Sequence, residues 1–222
     1  MNKKINILLV DDHPLIIEAY TNSIKLFEEK NHKYSIYIDS ASCCDSSLNY
    51  LKNKTYDAVF LDVRIPSSTD RRFKSGEDIA LFINKSFPET KTVMITGHYD
   101  PFTLGDILQK VNPFGLLLKG DVDQKVIVET LKSLINDSPY YSSSILKLLR
   151  KNLSSNIILD KKDKQLLMGI SDGKRTSDLI KIMPLSKGGL EKRKRQLKSI
   201  FGLSICDDDN ELINSAKEKG FL

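Results

Sequence analysis

The sequence predicts a doubly wound α/β domain with a five-stranded parallel sheet, followed by a smaller all-helical domain. Three observations carry that reading. Five apolar runs of strand length are each followed by a stretch with helical spacing, and such alternation folds as a parallel sheet with helices on both faces. Several runs, ILLV (7–10) and AVFL (58–61) among them, are apolar throughout, as strands covered on both faces are. Past residue 155 only short helical segments between turn residues follow.

The predicted strands are 5–10, 34–40, 58–62, 92–96 and 115–118, with helices near 14–29, 44–53, 76–86, 101–110 and 122–136. In the first helix Leu15, Ala19, Ile24 and Phe27 fall near one face, and Pro14 suits an opening turn. NDSPYYSSS (136–144) breaks the alternation, and ILKLLRKNL after it reads as a short linker helix. The expected division is therefore 1–137, a linker at 138–155, and 156–222.

In the last part Asp160 can cap a helix carrying Leu166, Leu167 and Ile170, which the turn SDGK ends. A short helix over 176–183 buries Leu179, Ile180 and Met183 and stops at Pro184. Ser186 can cap a third helix, and a fourth spans about 210–219. A short helix, a tight turn and a longer basic helix fit a helix-turn-helix, so this domain is expected to be a four-helix unit of that kind.

The totals exclude several classes. No apolar run is long enough to span a bilayer, and the first one stops at Asp11–Asp12, too soon for a signal peptide. The three cysteines, Cys43, Cys44 and Cys206, show neither a disulfide framework nor a zinc spacing. The chain reads as cytoplasmic, with no membrane partner. Charge is distributed unevenly: residues 1–150 hold 19 Lys/Arg and 19 Asp/Glu, whereas 151–222 hold 15 and 10, which accounts for the net +5. A polyanion partner is therefore expected at the last third.

In a parallel sheet, function collects where the loops leave the carboxyl ends of the strands. Those ends read Asp11–Asp12, Asp62, Thr96 and Lys119. Three carboxylates at one edge repel one another unless a cation sits among them, and hard oxygen donors suit Mg²⁺, or Mn²⁺. A lysine and a hydroxyl alongside can hold the oxygens of a phosphoryl group on one carboxylate. Aspartyl phosphate formation follows from the set, not from any single member.

ILLVDDHPL, YDAVFLDVRIP, TVMITGH and FGLLLK together resemble the receiver domain of bacterial two-component response regulators, over about residues 4–137. The resemblance implies a flavodoxin-like fold and Asp62 as phosphoacceptor from a sensor histidine kinase. It further implies Mg²⁺ held by Asp11, Asp12, Asp62 and the Arg64 backbone carbonyl, Thr96 as the switch hydroxyl, and Lys119 as its phosphate-pairing partner. His13 reads as a local turn residue. The sequence departs from the pattern at two places. Leu116 stands where the family carries a switch aromatic, with Phe114 two residues earlier on the same strand face. PSSTDRRFKSG (66–76) lengthens the loop after Asp62 and carries Arg71, Arg72 and Lys74; it reads as solvated loop first and as a partner contact second.

The stretch SKGGLEKRKRQLKSIFGL (186–203) holds six Lys/Arg and one Glu. At helical spacing Leu190, Leu197 and Phe201 share a buried stripe, Lys192, Arg195 and Ser199 point away from it, and Lys194 must snorkel outward. One predominant charge sign favours phosphate contact over a plain solvated face. From about 159 to 203 the chain resembles the LuxR/NarL/GerE-type DNA-binding domain, with Gly189, Glu191 and Lys194 departing from its usual residues. By position, Glu191, Lys192 and Arg195 would read bases, and Lys187, Arg193 and Lys198 would contact phosphates.

The expected function is a phosphorylation-dependent transcriptional regulator that binds double-stranded DNA, as a homodimer when active. It would not be an enzyme apart from accepting phosphoryl at Asp62 and slowly releasing it. The alternatives are a regulator locked in one state, or one whose helix-turn-helix mediates protein contact.

Overall fold

The computed structural model describes residues 2–97, 101–154 and 157–222. These form two compact units, the first reaching as far as Leu146 and the second comprising chiefly Lys147–Leu222. The boundary expected at 155/156 lies outside the described residues.

The first unit is a parallel sheet in the order β2-β1-β3-β4-β5-β6. Its strands are β1 (Lys3–Val10), β2 (Tyr34–Ala41), β3 (Ala58–Asp62), β4 (Lys91–Thr96), β5 (Gly115–Leu118) and β6 (Tyr140–Tyr141). Between them run α1 (Pro14–Lys30), α2 (Cys44–Asn53), α3 (Gly76–Ser86), α4 (Pro101–Lys110) and α5 (Gln124–Ile135). Strand alternation divides the core between two faces. Ile5, Ile7, Leu9, Phe60, Val93, Ile95 and Leu117 pack against Tyr20, Ile24 and Phe27 of α1 and Ile127 and Leu131 of α5. Leu8, Val59, Leu61, Met94 and Leu116 alternate with them and are equally buried, on the face that α2 and α3 cover.

The sheet has six strands where the sequence predicts five. Tyr140–Tyr141 pairs in parallel with Gly115 and Leu116. Two residues between Pro139 and a run of serines carry no periodicity, so the pairing is set by β5 rather than announced locally. A sixth helix, α6 (Ser143–Ser154), follows β6 directly.

The second unit holds α7 (Lys161–Ser171), α8 (Thr176–Ile182), α9 (Lys187–Ile200) and α10 (Asp209–Glu218). Asp160 caps α7 by accepting from the Asp163 amide, and Ser186 caps α9 by accepting from the Gly189 amide, both as the sequence predicts. Gly202, at φ 78°, ends α9 in a left-handed turn, with the Leu203 amide donating to the Lys198 carbonyl at 2.8 Å. Leu190, Leu197 and Phe201 are buried with Leu166, Leu167, Ile170, Leu179 and Met183. That packing fixes which face of α9 looks outward.

Candidate functional site

Strand register brings the acidic edge together. Val10 pairs with Leu61, Asp62 with Ile95, and Thr96 with Leu118, so Asp11, Asp62, Thr96 and Lys119 stand abreast at the carboxyl ends of four adjacent strands. Asp11 and Asp62 are each 3% exposed and Thr96 is fully buried, whereas Asp12 is exposed. The Lys119 ammonium donates to Asp62 at 2.6 Å and to Asp11 at 2.8 Å. The Arg64 amide donates to the other Asp62 oxygen at 3.2 Å. His13 places Nδ1 2.9 Å from Asp11 and 2.8 Å from Asp12.

The electrostatics follow from burial. Desolvation pushes the Asp62 carboxyl above its ordinary range, against the opposing pull of the Lys119 ammonium and the Arg64 amide. Burial alone would lower Lys119, but its hydrogen bonds to Asp11 and Asp62 outweigh that and hold it above the usual lysine value. The hydrogen bond to Asp11, followed by the charge of Asp12, raises His13. Donor atoms of Asp11, Asp12, His13 and Asp62 all lie within 4.8 Å of one another. A cluster dominated by carboxylates, with a lysine already drawn in, is chemically suited to a hard divalent cation.

In the second unit α9 separates its six cations. Lys187, Lys192 and Arg195 are exposed, beside exposed Gly188, Gln196 and Ser199. Arg193 turns inward and donates to both Asp160 and Asp163 at the start of α7. Lys194, the snorkelling residue, reaches Asp209 at the start of α10. Lys198 is 8% exposed, and its ammonium donates to the Asp207 carbonyl. Arg193 and Lys198, expected at phosphates, therefore brace the fold, because the loops around α9 place acids and carbonyls within reach of their long stems. Glu191 is half-buried and accepts from the Thr176 hydroxyl of α8 at 3.4 Å.

Residues 7–132, more than half of the chain, match the response regulator receiver domain family. The chain belongs to that family. It is similar to the response regulator UvrY of Escherichia coli K12, 24% identical over 82% of this chain and 81% of that protein. It is also similar to the transcriptional regulatory protein MctR of Rhizobium johnstonii, at 20% identity over 90% of this chain and 89% of that protein. Among solved structures, RcsB dimers bound to two parallel DNAs match at 18% identity over 97% of this chain and 99% of that one, with a TM-score of 0.65. RcsB of Salmonella enterica serovar Typhimurium, bound to promoter rprA with the phosphomimetic BeF₃⁻, gives a TM-score of 0.64 at 18% identity, over 96% of this chain and 98% of that one. At such identity the likeness establishes fold.

Within the receiver, the long loop after Asp62 is built rather than loose. Ser68 is 2% exposed; its hydroxyl donates to Asp70 and accepts from the Phe73 amide at 3.0 Å. Asp45 accepts from both the amide and the hydroxyl of Thr69, and Phe73 packs edge-on against Phe82 of α3. Asp70 is held down to about 2, first by the Arg72 amide and then by Ser68 and the Arg72 guanidinium. Arg71, Arg72 and Lys74 are the exposed cations of this turn. The loop closes at Gly76, where a Cβ would lie 2.0 Å from the Asp62 carbonyl oxygen. Only glycine permits that approach.

Leu116 is fully buried on β5, beside Tyr141 of β6. Phe114 precedes β5 at the opposite end of the sheet from Thr96, with the Lys91 ammonium 4.7 Å from its ring centre. It cannot stand in for a ring at residue 116. Ser142, Asp121 and Gly76 also shape this edge, and the sequence reading missed their parts. Ser142 and Asp121 act through bonds between β5, its following turn and the start of α6, and Gly76 through a contact with a backbone oxygen, so none carries a local pattern.

Proposed function

We propose that the chain is a phosphorylation-controlled transcriptional regulator: Asp62 takes a phosphoryl group from the phosphohistidine of a sensor kinase, and the exposed face of α9 binds double-stranded DNA. The observation carrying this reading is the Lys119 ammonium shared between buried Asp11 and Asp62, with Thr96 on the strand between. A carboxylate oxygen of Asp62 attacks phosphorus, the histidine N–P bond breaks, and an acyl phosphate forms. Lys119 neutralises charge on the incoming oxygens and the Thr96 hydroxyl donates to one of them. Asp11, Asp12, Asp62 and the Arg64 carbonyl would hold Mg²⁺ or Mn²⁺, which supplies charge neutralisation for the same oxygens. Water later hydrolyses the acyl phosphate, so the chain carries signal rather than turning over substrate.

In the second unit, Lys187, Lys192 and Arg195 supply the cationic face for the major groove, with Glu191 at its margin. The regulator names borne by the similar proteins, and RcsB bound to DNA among similar folds, support this reading. Phosphorylation then biases a two-state receiver toward a DNA-binding dimer. The test is selection of bound fragments from random DNA, with and without acetyl phosphate, using the natural chain and Asp62→Asn. Phosphate-dependent enrichment that Asp62→Asn abolishes is the expected result. Equal enrichment in all arms would indicate a locked regulator, and no enrichment would point to protein contact.

A further inference from the structure

The residue preceding α6 does not use its side chain as a helix-leading serine ordinarily does. The Ser142 hydroxyl is fully buried and accepts from the Leu118 amide of β5 at 3.1 Å, while the Ser142 amide donates to the Leu116 carbonyl at 3.1 Å. The first turn of α6 finds its acceptor elsewhere. Asp121 accepts from the Ser144 amide at 2.9 Å and from the Ser144 hydroxyl at 2.7 Å. A carboxylate there also complements the positive end of the helix. Asp121 closes the 3-10 turn Lys119–Asp121, whose first residue is the lysine bound to Asp62. These four hydrogen bonds join β5 and the Lys119 turn to Ser142 and the first turn of α6.

We propose that the Lys119 turn and the N-terminus of α6 form one hydrogen-bonded switch unit, in which phosphoryl capture at Asp62 alters α6 through Asp121 and Ser144. Leu116 gives the reason such a route matters here, since a buried leucine has neither ring nor hydroxyl to report the position of Thr96. When Lys119 leaves Asp11 and re-aims at phosphoryl oxygens, its turn shifts, and the carboxylate two residues on shifts with it. Because α6 leads out of the first unit, a change in its capping reaches the connection to the second. Coupling of this kind is reciprocal: a well-capped α6 also holds Lys119 in place. Asp121 and Ser144 are thus positioning residues. The phosphoryl arm rests on Asp62 being the acceptor; the Lys119 arm below does not.

Amide hydrogen exchange at residues 144–147 of the full chain tests the unit. With Mg²⁺ and beryllofluoride, exchange there should change by about tenfold, the scale of one charge-assisted hydrogen bond. Asp121→Asn should lose that change while still showing bound beryllofluoride by fluorine NMR. Without any phosphoryl mimic, Lys119→Ala should by itself speed exchange at 144–147 by about tenfold. If Asp121→Asn keeps the full response, or Lys119→Ala leaves 144–147 unaltered, the coupling is overturned. Failure of the natural chain to bind beryllofluoride would sink the Asp62 reading instead, with the Lys119→Ala arm still deciding the coupling.

Discussion

Lys119 and Asp62 meet across an intervening strand: the ammonium on the turn after β5 lies 2.6 Å from the carboxylate that ends β3, with β4 between them. Burial works against the charge of both: it pushes Asp62 up, with Lys119 and the Arg64 amide pulling the other way, whereas Asp11 and Asp62 together keep Lys119 above its usual value. The arrangement suits capture of a dianion, because a cation already stands beside the carboxylates. It is also costly for the empty fold, as sites poised for chemistry often are.

That cost is measurable through Asp62→Asn. Burial raises the folded-state value of Asp62, so its contribution favours folding below the unfolded value and is lost as pH rises through the folded one. At neutral pH the ionised carboxylate is therefore a destabilising group. Asp62→Asn should gain roughly 1 kcal/mol in urea unfolding at neutral pH, with the gain shrinking as pH falls through the carboxylate range. A variant no more stable than the natural chain at any pH would contradict this.

Gly76→Ala should act in the opposite direction. The added carbon would fall 2.0 Å from the Asp62 carbonyl oxygen, a backbone atom that cannot rotate away. The loop must lift or the end of β3 must shift, at a cost of about 1–3 kcal/mol. With Asp62 as the proposed acceptor, labelling by acetyl phosphate should fall in parallel, because its carboxylate moves with its backbone. Unaltered stability and labelling would show that the loop adjusts freely.

Much of this architecture is legible in the sequence because its causes are local. The all-apolar strands, the Asp160 and Ser186 caps, and the Leu190–Leu197–Phe201 stripe each follow from spacing that the residues themselves display. The ends of β1, β3 and β4 name Asp11, Asp62 and Thr96 for the same reason. What is not legible depends on partners far along the chain. Tyr140–Tyr141 becomes a strand only because β5 offers an open edge, and Ser68 is a buried linchpin only because the loop folds back on it. Charge spacing alone likewise cannot tell exposed Lys192 from buried Lys198, since the loop over 203–208 decides which is covered.

The loop after Asp62 offers a cleaner separation of structure from chemistry. Ser68→Ala removes a hydroxyl that bonds Asp70 and the Phe73 backbone, leaving the amide of half-buried Phe73 without that acceptor. The expected loss is about 1–3 kcal/mol of stability. Asp62 keeps its own partners, Lys119 and the Arg64 amide, so uptake of phosphoryl from acetyl phosphate at saturating donor should persist. Proteolysis within 66–76 should become faster, which limited digestion reads directly. Loss of phosphoryl uptake in a folded Ser68→Ala protein would instead make the loop part of the acceptor site.

The same distinction can be drawn on α9, where the salt dependence of DNA binding separates surface cations from structural ones. Lys192 and Arg195 are exposed, and removing a cation that neutralises one phosphate should make the slope of log affinity against log salt shallower by about 0.9. Lys192→Ala and Arg195→Ala should therefore weaken DNA binding with little effect on thermal unfolding. Lys198 is 8% exposed and donates to the Asp207 carbonyl. Removing it leaves that acceptor without its cation and opens a gap beneath the loop, so Lys198→Ala should cost about 1–3 kcal/mol of stability. Its salt slope, measured below the unfolding transition, should match that of the natural chain. Titrations of the three variants against a selected fragment at several salt concentrations decide the matter. A reduced slope for Lys198→Ala with unaltered stability would return Lys198 to the DNA-contacting face and contradict the division of cations drawn from its burial.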